Sequence, residues 1–581
     1  MTAVPDQAQR PPNLLYAVNE WPPPLRLALL GLQYAVMAAI YLVLVAIILR
    51  DAKMPPSASI DAMGIACVGL AIGTALQALP QGPIGSGFLA PPAFSAVYLA
   101  PSVLAAQIGG MPLVFGMIVF AGVVEVLFAL ALNRLRVVVT PVLSGLTVFV
   151  VGLQLGVVGI GAALDVRYVK MPGFHLHLLV TLLTLFVCIG LSIWGRGTVK
   201  LLCSLLGLIA GMTAASAFGL LNPVRLAALG ESPWISLPHP SFFHLSFDTG
   251  LMPAFLASGV AASLRAVGVI TTCQRINNAA WRRPNMTNIR KGMLADGLSN
   301  VIGGLVGVPG MSIGPSMVGV SAATGATSRY IGFTASLVLL IFASSPRLSG
   351  LFLVVPENVA GSLLVFTASF MISSGMEIML SRSVDTRAVY VIGVSTLLAL
   401  SEKVFPDYFR ALPPAVQSLT ASPLALGLMF AIALTLIFRL GTRQTAQTAW
   451  SESADAAGTA VAFIQSKTKA WNLAATLIET SAAHTGEVIR YILTKHLSWP
   501  EGRLRLTNNG VELGIEISYQ GSRTSHVPPS REAPIPIANE LENEEGPAYA
   551  GLQNFLRSLA VDRHQIKTRN GKVIVRLFYA I

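Results

Sequence analysis

The sequence predicts an all-α polytopic membrane protein of about fourteen transmembrane segments, the third and tenth of them half-length, followed by a small α/β domain. Composition is the first reason. Of 581 residues, 54% are hydrophobic and 11% charged, and the mean hydropathy is +0.67, values that exclude an ordinary soluble protein. The second reason is run length: about twenty apolar residues cross a hydrocarbon core, Leu27–Leu49 does so, and similar runs continue through Leu440. The third is a repeat. Ser86–Gln107 and Gly303–Thr327 are too short and too broken by Gly and Pro to cross as whole helices. They lie roughly 220 residues apart, as do the starts of two helix-rich halves near Leu27 and Gly250.

The chain accordingly divides into an N-terminal segment 1–26, a transmembrane domain 27–443, a linker 444–469 rich in Ala, Ser and Thr, and a domain 470–581 of soluble composition. Met1–Arg26 is polar and Pro-rich and lacks the basic start, short apolar stretch and small-residue cleavage site of a signal peptide, so the first span is expected to be retained. Lys and Arg placement sets the orientation. With fourteen alternating spans, Arg134, Arg136, Arg196, Lys200, the cluster Arg275, Arg282, Arg283, Arg290 and Lys291, then Arg329, Arg382, Arg387, Arg439 and Arg443 share one side. Arg50, Lys53, Arg167, Lys170, Arg225, Arg347, Lys403 and Arg410 fall on the other. Both termini are expected in the cytoplasm, in a bacterial-type inner (plasma) membrane. The net charge of +12 reads as this bias plus a basic tail, with no aromatic-interleaved basic stripe to suggest nucleic acid. Cys67, Cys188, Cys203 and Cys273 lie within or beside hydrophobic spans and form no CxxC pair, and the eight histidines occupy loops or the tail, so no metal site is expected.

Irregular backbone is tolerated at membrane depth only where it lines a cavity or is buried in protein, so the paired broken segments point to a secondary transporter with its site at the bilayer midplane. Gly310–Thr327, GMSIGPSMVGVSAATGAT, places bare amides and hydroxyls there, and Gly85–Pro101, GSGFLAPPAFSAVYLAP, sets Pro91 and Pro92 just before the first half-helix. The half-helices are expected to meet end to end, with Phe94, Ser95 and Ala96 facing Ser316, Met317 and Val318, offering partly positive N-termini to a ligand. The alternative is that small residues only permit close helix packing. Few charges lie deep inside spans, and such charges call for a functional hypothesis. Arg265 sits near the middle of Leu251–Cys273 and Glu125 near the middle of Leu113–Leu132. Either the two pair, or Arg265 faces a water-filled cavity and an anionic ligand; for Glu125 a structural partner is preferred to a proton-carrying role.

These segments resemble the xanthine/uracil permeases, the nucleobase:cation symporter-2 or nucleobase–ascorbate transporter family, over about Leu27 to Leu440. The most specific stretch is Gly292–Gly332, where GMLADGLSNVIGGLVGVPG leads into SMVGVSAATGATSRYIG. The family signature there is a polar residue, Asn, any residue, Gly, four residues, then Thr and a Gly or basic residue, and Gly319, Thr324 and Gly325 match it. Leu30–Tyr34, LGLQY, resembles the first-span Gln-His pair, with Gln33 kept and Tyr34 in place of His. Ala266–Gly268 and Thr271–Thr272 resemble the eighth-span segment after the substrate-binding glutamate.

The resemblance implies seven-plus-seven inverted repeats, with a core domain of spans one to four and eight to eleven moving against a gate domain of spans five to seven and twelve to fourteen. It also implies a homodimer and uptake of a nucleobase by alternating access, coupled to H+ or Na+ and needing no cofactor. The residues that would bind substrate are Gln33, Tyr34, Phe94, Ser95, Ala96, Arg265, Gly268, Ser316, Met317, Val318 and Gly319, with Glu125 and Thr324 supporting or coupling. The departures fall at this site: Arg265 replaces the eighth-span glutamate, Val269 the acid four positions later, Ser316 the tenth-span Glu or Gln, and Met317 the Asn after it. A guanidinium in place of a carboxylate inverts the local charge and suits a planar anionic edge. Urate, another oxidised purine, or a small carboxylate or inorganic anion is therefore the alternative cargo, and a non-transporting sensor is a third class.

In the tail, Trp471–Leu497 reads as a helix, Leu504–Ser518 as a strand pair around Asn508–Gly510, Gly551–Leu559 as a helix and Gln565–Tyr579 as a hairpin turning at Asn570–Gly571. That order resembles the histidine-kinase-type ATPase domain in degenerate form. Glu479 stands at the position of that family's helix glutamate, but Ala483 replaces its magnesium-holding Asn and Tyr519 its adenine-reading Asp, so ATP is not expected to bind. The acidic, Pro-rich Val527–Glu545 reads as a solvated loop.

Overall fold

The computed structural model of the chain describes residues 10–12, 14–132, 140–164, 174–196, 199, 203–239, 244–279, 281, 284–380, 384–412, 420, 423–438, 444–451, 455–471, 473, 475–494, 498–508, 512–521, 547–559, 561, 563–569 and 572–580. The basic residues Arg134, Arg136, Arg167, Lys170, Lys200, Arg282, Arg283, Arg382, Arg439 and Arg443, the insert Val527–Glu545 and the turn Asn570–Gly571 lie outside the described residues. The chain separates into two units, 1–435 and 436–581.

The first unit is helical. Its elements in order are α1 (Pro24–Ile40), α2 (Leu42–Asp51), α3 (Pro56–Ala78), β1 (Pro92–Phe94), α4 (Ala96–Ala131), α5 (Pro141–Ala163), α6 (Phe174–Trp194), α7 (Cys203–Ala217), α8 (Pro223–Glu231), α9 (Met252–Ile276) and α10 (Met286–Val306). There follow β2 (Met311–Ile313), α11 (Pro315–Thr324), α12 (Arg329–Ala343), α13 (Pro346–Gly350), a 3-10 turn Leu351–Leu353, α14 (Glu357–Met379), α15 (Thr386–Val404), α16 (Pro406–Arg410) and α17 (Pro423–Ile437). Proline opens α1, α3, α5 and α11, where its fixed φ suits the first turn and its missing N–H costs nothing. Asn285 caps α10 by accepting from Thr287 N and Asn288 N, and Gly307, at φ 94°, ends it in the left-handed conformation.

Among the described residues seven helices are long and apolar enough to cross a membrane, or eight if the 91° bent pair Arg329–Ala343 and Pro346–Leu353 counts as one. The continuous helix α4 is broken by Gly110 at φ 68° and ψ −165°, a conformation that only glycine adopts without strain. Residues 96–109 therefore form a half-helix and 111–131 a separate span. The all-α expectation needs one correction, because β1 and β2 pair as a short antiparallel ribbon inside this unit.

Two helix pairs approach until backbone meets backbone. A Cβ on Gly375 of α14 would lie 2.6 Å from Phe149 N and 2.8 Å from Gly145 O of α5, and one on Gly361 would lie 2.5 Å from Ala163 N. The α4–α10 pair is built in the same way, since a Cβ on Gly122 would lie 2.7 Å from Val301 N and one on Gly304 would lie 2.8 Å from Phe115 O. With lipid as solvent there is little hydrophobic drive between helices, and such close packing supplies the attraction. By contrast, only 22% of the apolar window of α6 is buried in the protein, and Leu182, Phe186 and Ile193 stay exposed, as a lipid-facing surface requires.

The second unit is a five-stranded antiparallel sheet with helices. It comprises β3 (Gln444–Ser451), α18 (Ala456–Ala470), α19 (Ala475–Thr494), β4 (Ser498–Asn508), β5 (Glu512–Gly521), α20 (Pro547–Ser558), β6 (Arg563–Arg569) and β7 (Lys572–Ala580), in the strand order β3-β4-β5-β7-β6. Alternation fixes the register: Leu504, Leu506, Ile515, Ile517, Val573, Val575 and Leu577 form a core with Val488, Ile489 and Ile492 of α19 and Leu552 and Leu556 of α20. On the other face Arg505, Glu516 and Arg576 form a cross-strand row, with an Arg576 Nε to Glu516 Oε2 contact of 2.8 Å. The stretch 444–469 read as a linker is instead β3 and α18, and Trp450 and Ile464 are buried in this core. Small inward residues such as Ala446 and Ala460 made that pattern look like linker composition.

Candidate functional site

The ribbon joins the two broken segments. Pro92 pairs with Ile313, Ala93 with Ser312 and Phe94 with Met311, flanked by Ser95 N donating to Gly310 O at 3.2 Å and Gly314 N to Pro91 O at 3.2 Å. The half-helices therefore do not meet with Phe94–Ala96 against Ser316–Val318. The register instead sets Pro92–Phe94 against Met311–Ile313, and α4 and α11 start just beyond it. Ser95 caps the first, its Oγ accepting from Val97 N at 3.2 Å. Gly310 has to be glycine, since a Cβ there would lie 2.4 Å from the Tyr98 ring.

α10 holds β2 in place through two residues one turn apart. Asn300 Nδ2 donates to Met311 O at 2.8 Å and Asn300 Oδ1 accepts from Met311 N at 2.8 Å. Asp296 accepts from Ser312 Oγ at 3.0 Å and from Ile313 N at 3.1 Å. The same Asn300 amide donates to Glu125 Oε1 at 2.7 Å, and the Tyr98 hydroxyl donates to that oxygen as well. Glu125 and Arg265 form no ion pair among the described residues, because the donors nearest Glu125 are Tyr98 and Asn300. Asp296 and Asn300 escaped the sequence reading, although an acid within a membrane helix of small residues was the available signal.

A cavity of about 390 Å³ opens beside the ribbon, within the ~300–1,000 Å³ of small-molecule sites. One side is formed by Met37 and Ile40 of α1, Tyr41, Ala93 and Phe94 of β1, Ala96, Arg265 of α9, and Gly314, Pro315, Ser316, Gly319 and Val320. The lining also includes Leu155 of α5, Ser192 of α6, Cys203 and Ser204 of α7, and Leu363, Phe366, Thr367, Phe370 and Ser374 of α14. The lining is mostly apolar with a few convergent polar groups and no carboxylate. The Tyr41 hydroxyl, between α1 and α2, lies 2.9 Å from Ser316 Oγ, a contact the sequence reading missed.

Of the residues read from sequence, Phe94, Ala96, Arg265, Ser316 and Gly319 line the cavity. The others are not part of its lining. Tyr34 is fully buried, 2.7 Å from Ser321 Oγ; Met317 and Val318 are buried within α11, and Gln33 Nε2 is buried without a partner. Gly268 is half-buried beside Ile378, and the Thr324 hydroxyl bonds Val320 O at 2.8 Å where α11 ends. Arg265 is 5% exposed and its Nε has no partner. Among the described residues it makes no hydrogen bond or ion pair.

A helical membrane protein whose two broken helices meet through a ribbon at an internal, mostly apolar cavity is a membrane transporter. Residues 25–407 match the Permease family of xanthine and uracil permeases. The chain belongs to that family, one of transporters and not of enzymes. It is 30% identical to the xanthine permease XanQ of Escherichia coli strain K12 over 324 residues, 54% of this chain and 67% of that one. It is 26% identical to the uric acid permease PucJ of Bacillus subtilis strain 168 over 376 residues, 64% and 82% of the two chains. Among solved structures, the murine Solute Carrier 26 family member A9 anion transporter in its inward-facing state aligns with a TM-score of 0.50 at 12% identity, covering 76% of this chain and 72% of that one. That likeness concerns the fold alone.

Proposed function

We propose that the protein is a secondary active transporter of a nucleobase or related planar compound of the xanthine, uracil or urate class, working by alternating access. The observation that supports this reading is a cavity lined both by residues of α1, β1, α4, α9 and α11 and by residues of α5, α6, α7 and α14, the elements expected to serve as core and gate. Membership of a family with xanthine and uric acid permeases favours a base over an inorganic anion. Phe94 and the α14 aromatics Phe366 and Phe370 offer faces for a planar ring, and Ser316, Thr367 and Ser374 offer hydroxyls for its edge. Gln33, Tyr34, Ser95, Gly268, Met317, Val318, Glu125 and Thr324 support these walls. On this reading the chain has fourteen segments in seven-plus-seven inverted repeats, forms a homodimer, and lies in an inner membrane with both termini and the second unit in the cytoplasm. Uptake is driven by H+ or Na+.

The test is uptake of labelled xanthine, urate and uracil by cells expressing the chain, with the pH or Na+ gradient collapsed in turn. Saturable uptake of one base that stops with one gradient is the expected result. Uptake no faster than in empty cells for all three would refute the reading.

A further inference from the structure

A guanidinium lining a membrane-embedded cavity without a protein partner is a costly arrangement. On insertion scales an arginine at the helix centre costs about 2.5–3.5 kcal/mol, and such a group is normally paired or hydrogen-bonded. Among the described residues Arg265 is neither: it is 5% exposed, it lines the cavity, and its Nε is unpartnered. Among the described residues neither buried acid of this region, Asp296 nor Glu125, hydrogen-bonds it. Asp296 accepts from Ser312 and Ile313, and Glu125 Oε1 accepts from Tyr98 and Asn300. The cavity lining itself contributes no carboxylate. Positive potential is added by the first turn of α11, whose Pro315 and Ser316 face the same space.

We infer that the cargo is bound as a planar monoanion, an oxidised purine that has lost a ring N–H proton, with Arg265 as its counter-charge. The planar fork of guanidinium donors matches adjacent oxygen and nitrogen acceptors on the deprotonated edge of such a ring. A neutral base keeps its carbonyl acceptor but presents an N–H donor where the second guanidinium donor needs an acceptor, a mismatch that discriminates against it. Ser316 and Tyr41, joined at 2.9 Å, complete the polar wall. This inference rests on the proposed function, and it adds the charge state of the cargo and the residue that selects it.

The experiment measures equilibrium binding to the purified full-length protein for urate, an anion throughout the neutral range, for xanthine, which ionises near neutrality, and for uracil, which stays neutral there. Binding of urate over uracil is expected, with xanthine affinity rising as pH passes its own ionisation and uracil affinity flat. A charge-assisted hydrogen bond is worth enough that Arg265→Gln is expected to weaken urate about 10- to 100-fold, with Arg265→Lys retaining part of the affinity. The xanthine pH profile needs only the unaltered protein, so misfolding of a variant leaves the inference testable. Uracil bound as tightly as urate, with xanthine affinity falling or flat as pH rises, would overturn the charge assignment and leave the nucleobase reading standing. No binding by any of the three overturns both.

Discussion

Replacing Asn300 by alanine tests whether α10 positions the ribbon. The side chain makes three buried contacts: Nδ2 to Glu125 Oε1 at 2.7 Å, Nδ2 to Met311 O at 2.8 Å, and Oδ1 from Met311 N at 2.8 Å. Both backbone groups of Met311 are thus satisfied by one side chain, and alanine strips both. A buried polar group left without a partner costs about 1–3 kcal/mol, which for the two Met311 backbone groups would reach about 2–6 kcal/mol, Glu125 Oε1 keeping its bond from Tyr98. Interhelical hydrogen bonds in membrane proteins average only about 0.6 kcal/mol, because the unfolded chain also finds partners in the bilayer. Two of the three lost bonds go to backbone in a three-residue strand with few alternatives, so an intermediate cost of about 2–4 kcal/mol is expected. Hydrogen exchange with mass spectrometry is the assay. At tenfold per ~1.4 kcal/mol, protection of Met311–Ile313 should fall about 30- to 1,000-fold, and substrate binding should fall with it while the helices persist. Ser299→Ala is the control, since its hydroxyl bonds only its own helix, at Ala295 O. Unchanged exchange at Met311–Ile313 in Asn300→Ala would refute the reasoning.

Gly375→Ala drives a Cβ to 2.6 Å from Phe149 N; α5 and α14 must part, and a loss of about 1–3 kcal/mol in thermal or denaturant unfolding is expected, against no loss for Gly393→Ala, where nothing lies within 4 Å. Tyr41→Phe removes the contact with Ser316 and should weaken substrate binding by about 1 kcal/mol, roughly fivefold. Ser316→Ala should do the same, and the double variant should lose less than the sum because both act through one bond; full additivity in the measured affinities would count against it. In the second unit, partial burial holds the His484 imidazole below its ordinary value, opposed by Glu487, beside the Tyr579 hydroxyl at 3.3 Å. A depressed folded-state value means the unfolded chain binds the proton more readily. Stability of this unit should therefore be full above about pH 6.5 and fall as pH drops below it, and His484→Gln should flatten that slope in a melting-temperature series.

The broken segments were legible in the sequence because their signal is local. Pro91 and Pro92, the Gly-rich run through Gly319, and the matched spacing of the two stretches all report on their own backbone. What joins them was not legible. Three-residue strands, PAF and MSI, carry no period to read, and their partners lie about two hundred residues apart in sequence. The same limit explains the proposed Arg265–Glu125 pair, for matching opposite charges along a chain cannot anticipate that Tyr98 and Asn300 reach Glu125 Oε1. In the tail the strands with alternating large residues announced themselves. β3 did not, because its inward set runs from Ala446 to Trp450 with little contrast.

The three buried ionisable side chains near the ribbon divide along functional lines. Asp296 and Glu125 Oε1 accept hydrogen bonds from α4, α10 and β2, while Glu125 Oε2 is buried without one, and these bonds act on the scaffold: they fix where α4 and α11 begin and hence where one wall of the cavity stands. Had either paired directly with Arg265, the guanidinium would have been neutralised in place, and its donors would have been withdrawn from the cavity. With Asp296 bonded to Ser312 and Ile313 and Glu125 Oε1 to Tyr98 and Asn300, the guanidinium keeps its donors for the cavity it lines. A buried cation with no contact partner among the described residues is the state expected of a group whose partner arrives from solution and leaves again. A locked ion pair would hold too firmly to release what it binds.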